Sequence, residues 1–249
     1  MGRSAYALDP VFRASFDRVA ALFRPHAEID LVEVLHAENL ADRLPRTSLA
    51  QPLIFAVQVA VVESLAEKGL RPDAVIGHSV GEVAAAWAAG VFDLPDAVRL
   101  IHVRSAAQEA IRGMGGMAAA LTSAEQVEAA LAEAGMTGLV VAADNSPRSV
   151  TLSGPFDQID GFAKLARKKR IAVRKLELDD PFHSPAADAL RDTLLSGLGW
   201  LRPSESRIAY VSATAGRVED GQALGPAYWL ANIRQPVLFR QGLEALLEQ

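Results

Sequence analysis

Ala74-Val75-Ile76-Gly77-His78-Ser79-Val80-Gly81-Glu82-Val83-Ala84-Ala85-Ala86-Trp87-Ala88-Ala89-Gly90 is the stretch that decides how this chain is read. Its first three residues, after Arg71-Pro72-Asp73, form a short apolar run like a buried parallel strand. Residues 80–90 are alanine-rich and read as a helix closed by Gly90. Between strand and helix lies Gly77-His78-Ser79-Val80-Gly81, a G-x-S-x-G match in the context that motif needs. The two glycines let strand and helix approach around a tight turn that projects the Ser79 hydroxyl outwards. The helix N-terminus then lies beneath it, and the Val80 backbone N–H is placed to hold an oxyanion. The bland alternative is a glycine-rich turn with no chemistry.

Outward from that turn, residues 10–23 repeat apolar positions at helical spacing, and Pro25 is expected to stop the helix. Residues 52–66 read as a largely buried helix with Pro52 in its first turn. Residues 95–112 form another, ended by Gly113-Met114-Gly115-Gly116. From Gly116 to Leu178 the rhythm becomes strand (117–122), helix, strand (139–143), strand (149–153), helix (155–169) and strand (171–178). Ser123 with Gln126 opens the first of these helices as a capping box. This is the split βαβ order of a ferredoxin-like unit, inserted into a larger α/β one. Residues 186–197 return to helix, 207–213 to strand, and 226–248 to a mostly helical end.

Composition narrows the function. The 249 residues hold 25 Lys and Arg against 30 Asp and Glu, a net charge of −5, which argues against a nucleic-acid partner. No cysteine is present, which removes disulfides, thiolate metal sites and a cysteine nucleophile, and fits the cytoplasm. No run reaches about 18 consecutive apolar residues, so no membrane span is expected. The first residues lack a signal-peptide core. The 5 histidines include no H-E-x-x-H, so no metal is expected.

A serine nucleophile needs a base. His78 adjoins it on the turn and reads as packing or supporting the elbow. His26 and His36 lie in a polar N-terminal stretch, and His102 sits inside a helix. His183 follows Asp180-Pro181-Phe182 in a loop between two prolines, which suits a general base.

These residues resemble the acyltransferase domains of modular polyketide synthases and the related malonyl-CoA:acyl carrier protein transacylases. Gly77-His78-Ser79-Val80-Gly81-Glu82 is similar to the family's G-H-S-x-G-E. Thr47 through Gln51-Pro52-Leu53, His102-Val103-Arg104-Ser105, Gly115-Gly116-Met117, Ala143-Asp144-Asn145-Ser146-Pro147 and Pro181-Phe182-His183-Ser184 fall at further landmarks. Tyr228-Trp229-Leu230-Ala231-Asn232-Ile233-Arg234-Gln235-Pro236-Val237 is similar to Y-W-x-x-N-x-R-x-P-V. The resemblance runs the length of the chain. It implies an α/β fold in which a large α/β-hydrolase-like subdomain with a parallel sheet (1–115 and 179–249) carries the ferredoxin-like small subdomain (116–178).

The resemblance implies Ser79 as the acylated nucleophile, His183 as its base, and Arg104 as the holder of the free carboxylate of a dicarboxylic acyl group. A guanidinium fork suits a carboxylate, and a buried arginine left unpaired rejects an acetyl group. Val80 and Phe182 stand where the family selects malonyl over methylmalonyl. Asp180 departs from the Tyr or His more common there, which leaves the extender unit open. Gln51, Asn145 and His78 are further candidates for lining the substrate site, with turn capping the alternative for Asn145. The substrate would be malonyl-CoA or a related acyl-CoA, with no bound cofactor. The acceptor would be the phosphopantetheine of an acyl carrier protein, and ketosynthase and linker domains would be neighbours. The basic run Lys164, Arg167, Lys168, Lys169 and Arg170 reads as a solvated face or a docking patch for that acidic partner. The family also carries an N-terminal strand with a glutamine-bearing oxyanion loop and a C-terminal segment, which this sequence is expected to lack. Two other readings stand beside this one: a serine esterase or thioesterase with Asp144 between serine and histidine in chain order, and a silent structural domain of a megasynthase.

Overall fold

A computed structural model describes residues 2–248. The chain opens with helices α1 (Arg3–Leu8), α2 (Pro10–Ala27), α3 (Leu31–His36), α4 (Leu40–Arg43) and α5 (Thr47–Glu67). Strand β1 (Ala74–Ile76), α6 (Gly81–Ala88) and α7 (Leu94–Gln108) follow. Next come β2 (Gly116–Ala120), α8 (Ala124–Glu133), β3 (Val140–Ser146), β4 (Ser149–Gly154), α9 (Phe156–Lys168) and β5 (Val173–Lys175). The chain closes with α10 (Arg191–Gly197), β6 (Ala209–Ser212), β7 (Arg217–Glu219), α11 (Pro226–Arg234) and α12 (Phe239–Leu247).

Two sheets result. In the first, β1 pairs parallel with β6, as the apolar run at 74–76 predicts, and β7 adds an antiparallel edge. That edge is a hairpin the sequence reading did not contain. The turn into it closes on Gly216, whose φ of 69° suits a residue without a side chain. The second sheet is antiparallel throughout, in the order β3-β4-β2-β5. Helices α8 and α9 bury Val127, Leu131, Ile159 and Phe162 against Ala118, Ala120, Val150 and Leu152 of β2 and β4. The alternating positions of the two central strands thus share one covered face, the ferredoxin-like arrangement expected from the βαββαβ order.

Around the first sheet the core is helical. Phe12, Phe16, Val19 and Phe23 of α2 meet Leu53, Phe55, Ala56 and Val59 of α5 and Leu100 and Ile101 of α7. Helix α5 is long and apolar enough to cross a membrane, but it sits between α2 and α7 as a core helix.

Several boundaries differ from expectation, among them the strand read over 171–178, which shortens to Val173–Lys175. Helix α2 runs past Pro25 to Ala27 and stops at Glu28, which takes the left-handed φ of 51°; a proline in the last turn forfeits one hydrogen bond and is outweighed by packing. Helix α5 starts at Thr47, not at Pro52, because Glu109 accepts the Ser48 N–H at 2.6 Å and the Arg46 carbonyl accepts those of Leu49 and Ala50. Residues 186–197 divide into a 3-10 segment, Pro185–Leu190, and α10.

The two sheets are stitched together just before α12. Val237 donates to the Ala142 carbonyl and accepts from the Asp144 N–H, both at 2.9 Å, while Leu238 N–H reaches Ala213 O at 2.6 Å beyond the end of β6.

Candidate active site

The turn after β1 is as tight as its glycines require. A Cβ on Gly77 would lie 2.2 Å from the Glu82 nitrogen. Ser79 adopts a φ of 53°, a strained conformation for a residue with a side chain. The strain lifts its hydroxyl above the N-terminus of α6. Among the described residues, the Val80 N–H has no hydrogen-bond acceptor.

His183 reaches this hydroxyl across 104 residues of sequence, with Ser79 Oγ 2.7 Å from Nε2. It too has a left-handed backbone, φ 55°, and its N–H is held by the Ile233 carbonyl at 3.2 Å. Its Nδ1 lies 2.9 Å from the Gln235 carbonyl. A carbonyl only accepts, so Nδ1 carries the proton and Nε2 presents its lone pair to Ser79. Burial, aided by the Arg104 charge, lowers the His183 pKa to about 3, so the resting ring is neutral and its Nε2 lone pair faces the Ser79 hydroxyl.

Arg104 is 1% exposed, yet among the described residues no carboxylate is in contact with it. Nη1 donates to Gln51 Oε1 at 2.6 Å and Gln108 Oε1 at 2.9 Å, and Nε to Asn232 Oδ1 at 3.0 Å. Nη2 lies 3.3 Å from Ser79 Oγ and keeps a donor in reserve there. Burial lowers the Arg104 pKa to about 10, which still leaves it charged at neutrality. The nearby acid is Glu82, fully buried one residue further back. It accepts from Asn232 Nδ2 at 2.8 Å, Tyr228 OH at 2.7 Å, Thr214 N–H at 3.0 Å and Thr214 Oγ1 at 2.9 Å. Burial pushes the Glu82 carboxyl up, and these four donors oppose that shift. Asn232 therefore ties acid to cation without letting them touch, and the guanidinium offers unspent charge beside the nucleophile.

A cavity of 200 Å³ opens on Ser79, Val80, Gln51 and Phe182, all sequence candidates, and on Gln108 and Asp180. His78 and Asn145 lie off it. His78 is exposed, and its Nε2 meets Asn145 Oδ1 at 2.8 Å, joining the turn to β3. Asn145 also donates to Thr151 at 3.2 Å. His102 stacks on His26, ring centroids 5.5 Å apart, and His36 packs edge-on to Tyr6. Asp144, the acid of the esterase reading, is held by Arg240 at 2.8 Å and not by His183.

Sequence reasoning missed Gln108, Asn232, Glu82 and Gln235 as parts of this network. Gln108 sits four positions after Arg104 on α7, one helical turn along the same face. Asn232 and Gln235 lie inside the quoted Tyr228–Val237 motif, and Glu82 ends the serine motif. A main-chain carbonyl leaves no mark in a sequence.

The family profile described as an acyl transferase domain matches residues 1–249. Polyketide synthase GfsB of Streptomyces halstedii is 35% identical over 251 residues, and mycoketide-CoA synthase of Mycobacterium tuberculosis 34% over 249. Each alignment covers 100% of this chain but only 4% and 6% of those synthases. A loading acyltransferase from the avermectin modular polyketide synthase superposes with a TM-score of 0.94 at 32% identity, covering 100% of this chain and 79% of that one. A malonyl CoA-acyl carrier protein transacylase from Burkholderia pseudomallei gives 0.87 at 26%, covering 96% and 82%. Profile, sequence and fold converge with the serine elbow and its histidine: the chain belongs to the acyl transferase domain family, the domain that these polyketide synthases carry.

Proposed function

We propose that this domain moves a malonyl-type acyl group from coenzyme A to the phosphopantetheine thiol of an acyl carrier protein. The observation that carries the reading is the 3.3 Å approach of the Arg104 guanidinium, buried and without a carboxylate contact among the described residues, to the hydroxyl that His183 activates. An isolated buried cation is costly unless an anion joins it. A dicarboxylic acyl group supplies that anion while its thioester lies at Ser79.

His183 Nε2 takes the Ser79 proton as Oγ attacks the thioester carbon. The Val80 N–H faces the developing oxyanion. Collapse breaks the C–S bond, His183 returns the proton to the coenzyme A sulfur, and the acyl group remains as an ester on Ser79. The carrier-protein thiol then repeats the attack, giving its proton to His183 and releasing the Ser79 hydroxyl. The Gln235 carbonyl holds the ring in the required tautomer throughout. We assign this site to a large unit, 1–115 with 179–249, and read 116–178 as a small unit bearing the basic run at 164–170, a candidate face for an acidic carrier protein. Ketosynthase and linker domains are the neighbours this reading implies.

Intact-protein mass spectrometry after exposure to malonyl-CoA tests the proposal. One malonyl adduct on the protein, absent from Ser79→Ala, is the expected result. An adduct of equal occupancy in Ser79→Ala refutes the assignment.

A further inference from the structure

Arg104 has too few free donors to hold both oxygens of a carboxylate. Its Nε–H is engaged by Asn232 Oδ1, and both hydrogens of Nη1 are engaged, by Gln51 Oε1 and Gln108 Oε1. Nη2 alone is left, facing Ser79 Oγ at 3.3 Å. The usual fork, in which neighbouring nitrogens each take one carboxylate oxygen, is therefore closed. Nη2 pairs with one oxygen, and the other needs a donor from the cavity wall. A charged acceptor enclosed without one is costly.

Most of the 200 Å³ cavity cannot supply that donor. The Val80 N–H faces the thioester oxyanion, and Gln51 has both ends of its amide engaged. Asp180 can only accept, and Ile54, Leu178 and Phe182 are apolar. Thr47 differs. It is 4% exposed and lines the same cavity, and its hydroxyl makes no hydrogen bond among the described residues. Thr47, Ala50, Gln51 and Ile54 follow the spacing of one helix face, and all of them line the cavity. The free hydroxyl thus stands one turn of α5 before Gln51, whose Oε1 lies 2.6 Å from Arg104 Nη1. A second donor flanks it. Arg104 only donates, so Gln108 turns Oε1 towards it, and the Gln108 Nε2 has no acceptor among the described residues.

We propose that Thr47 is a substrate-binding residue whose hydroxyl donates to the free carboxylate oxygen that Arg104 Nη2 leaves unpaired, with the Gln108 amide nitrogen beside it. The inference rests on the dicarboxylic reading above and adds a second contact to it. That contact lies at the end of the acyl group remote from the reacting carbon. It is the same before and during attack, so it strengthens binding and leaves the chemical step nearly unchanged.

The test is single-turnover acylation of Ser79, read by intact mass over a range of malonyl-CoA concentrations, in the wild type, Thr47→Val and Thr47→Ser. Valine keeps the shape and removes the donor. The half-saturating concentration is expected to rise about tenfold, as for a hydrogen bond lost from a charged partner, while the maximal rate changes far less. Serine keeps the donor and is expected to recover most of the wild-type value. A packing role predicts the opposite order, because serine lacks the methyl that valine retains. The residual acylation by acetyl-CoA, which has no free carboxylate, is expected to show no such shift in Thr47→Val. An unchanged half-saturation in Thr47→Val, a serine variant worse than valine, or an equal loss for both acyl groups overturns the role of Thr47 while the dicarboxylic reading stands on Arg104. A wild type that takes acetyl as readily as malonyl overturns that reading and this inference with it. Should the valine variant fail to fold, Thr47→Ala removes the same hydroxyl without added bulk and decides in its place.

Discussion

Lowering the pH turns the burial of His183 into a measurable loss of stability. The ring is 4% exposed and its pKa is about 3, against an ordinary value of 6.5. The folded state thus refuses a proton that the unfolded chain accepts. The stability tied to this refusal is fully present above pH 6.5 and is lost as pH falls towards 3. One proton per molecule gives a slope of about 1.4 kcal/mol per pH unit, so the loss between pH 6.5 and 5.0 is about 2 kcal/mol. Urea unfolding of the wild type and of His183→Gln at pH 7.5, 6.5, 5.5 and 5.0 isolates this part. Every other titrating group is common to both proteins. The substitution shifts the variant by an offset that varies little with pH, while the stability difference between the two shrinks by about 2 kcal/mol over the interval. Parallel stability curves would refute the reasoning, because they would mean that position 183 takes up its proton as easily folded as unfolded.

Other outcomes follow from the same geometry. Arg104→Met is expected to slow acylation by malonyl-CoA by about a hundredfold or more and to leave acetyl-CoA far less affected, since only the former brings an anion to the vacated place; an equal loss for both acyl groups in stopped-flow acylation contradicts the carboxylate role. Gly77→Ala forces a Cβ to 2.2 Å from backbone nitrogen and 2.3 Å from the Gly81 carbonyl carbon, neither of which can move as a side chain would. It is expected to cost about 3 kcal/mol or more in urea unfolding, above the usual range for overpacking. Ser79→Gly is expected to be more stable than Ser79→Ala by about 1 kcal/mol in thermal unfolding, because φ 53° burdens alanine and not glycine.

The elbow was legible in the sequence because its physics is local. Two glycines four apart, an apolar run before and an alanine run behind leave one geometry, and the structure adopts it at Gly77–Gly81. The small sheet was legible for a similar reason: alternating strands and two short amphipathic helices specify which faces meet. Prolines misled at 25 and 52, where one lost helix bond counts for less than the packing of Phe23 and Phe55 in the core. The hairpin into β7 stayed hidden because three residues carry too little alternation to register. Partners remote in sequence were the hardest to see. Asn232 bonds to Arg104 across 128 residues, and Gln235 holds His183 through an atom that every residue possesses. That Asp180 departs from the residues of the resembling family was visible in the sequence; that its Oδ1 has no hydrogen-bond partner among the described residues was not.

The seam at 235–238 makes aim and assembly one property. Within four residues the backbone points the Gln235 oxygen at the imidazole, zips Val237 to the antiparallel sheet and anchors Leu238 beside β6. Any slide of one sheet past the other pulls on the peptide that steers the ring. Sheet packing and the aim of the imidazole thus hang on one short peptide, and a change in the first alters proton transfer without touching serine or histidine.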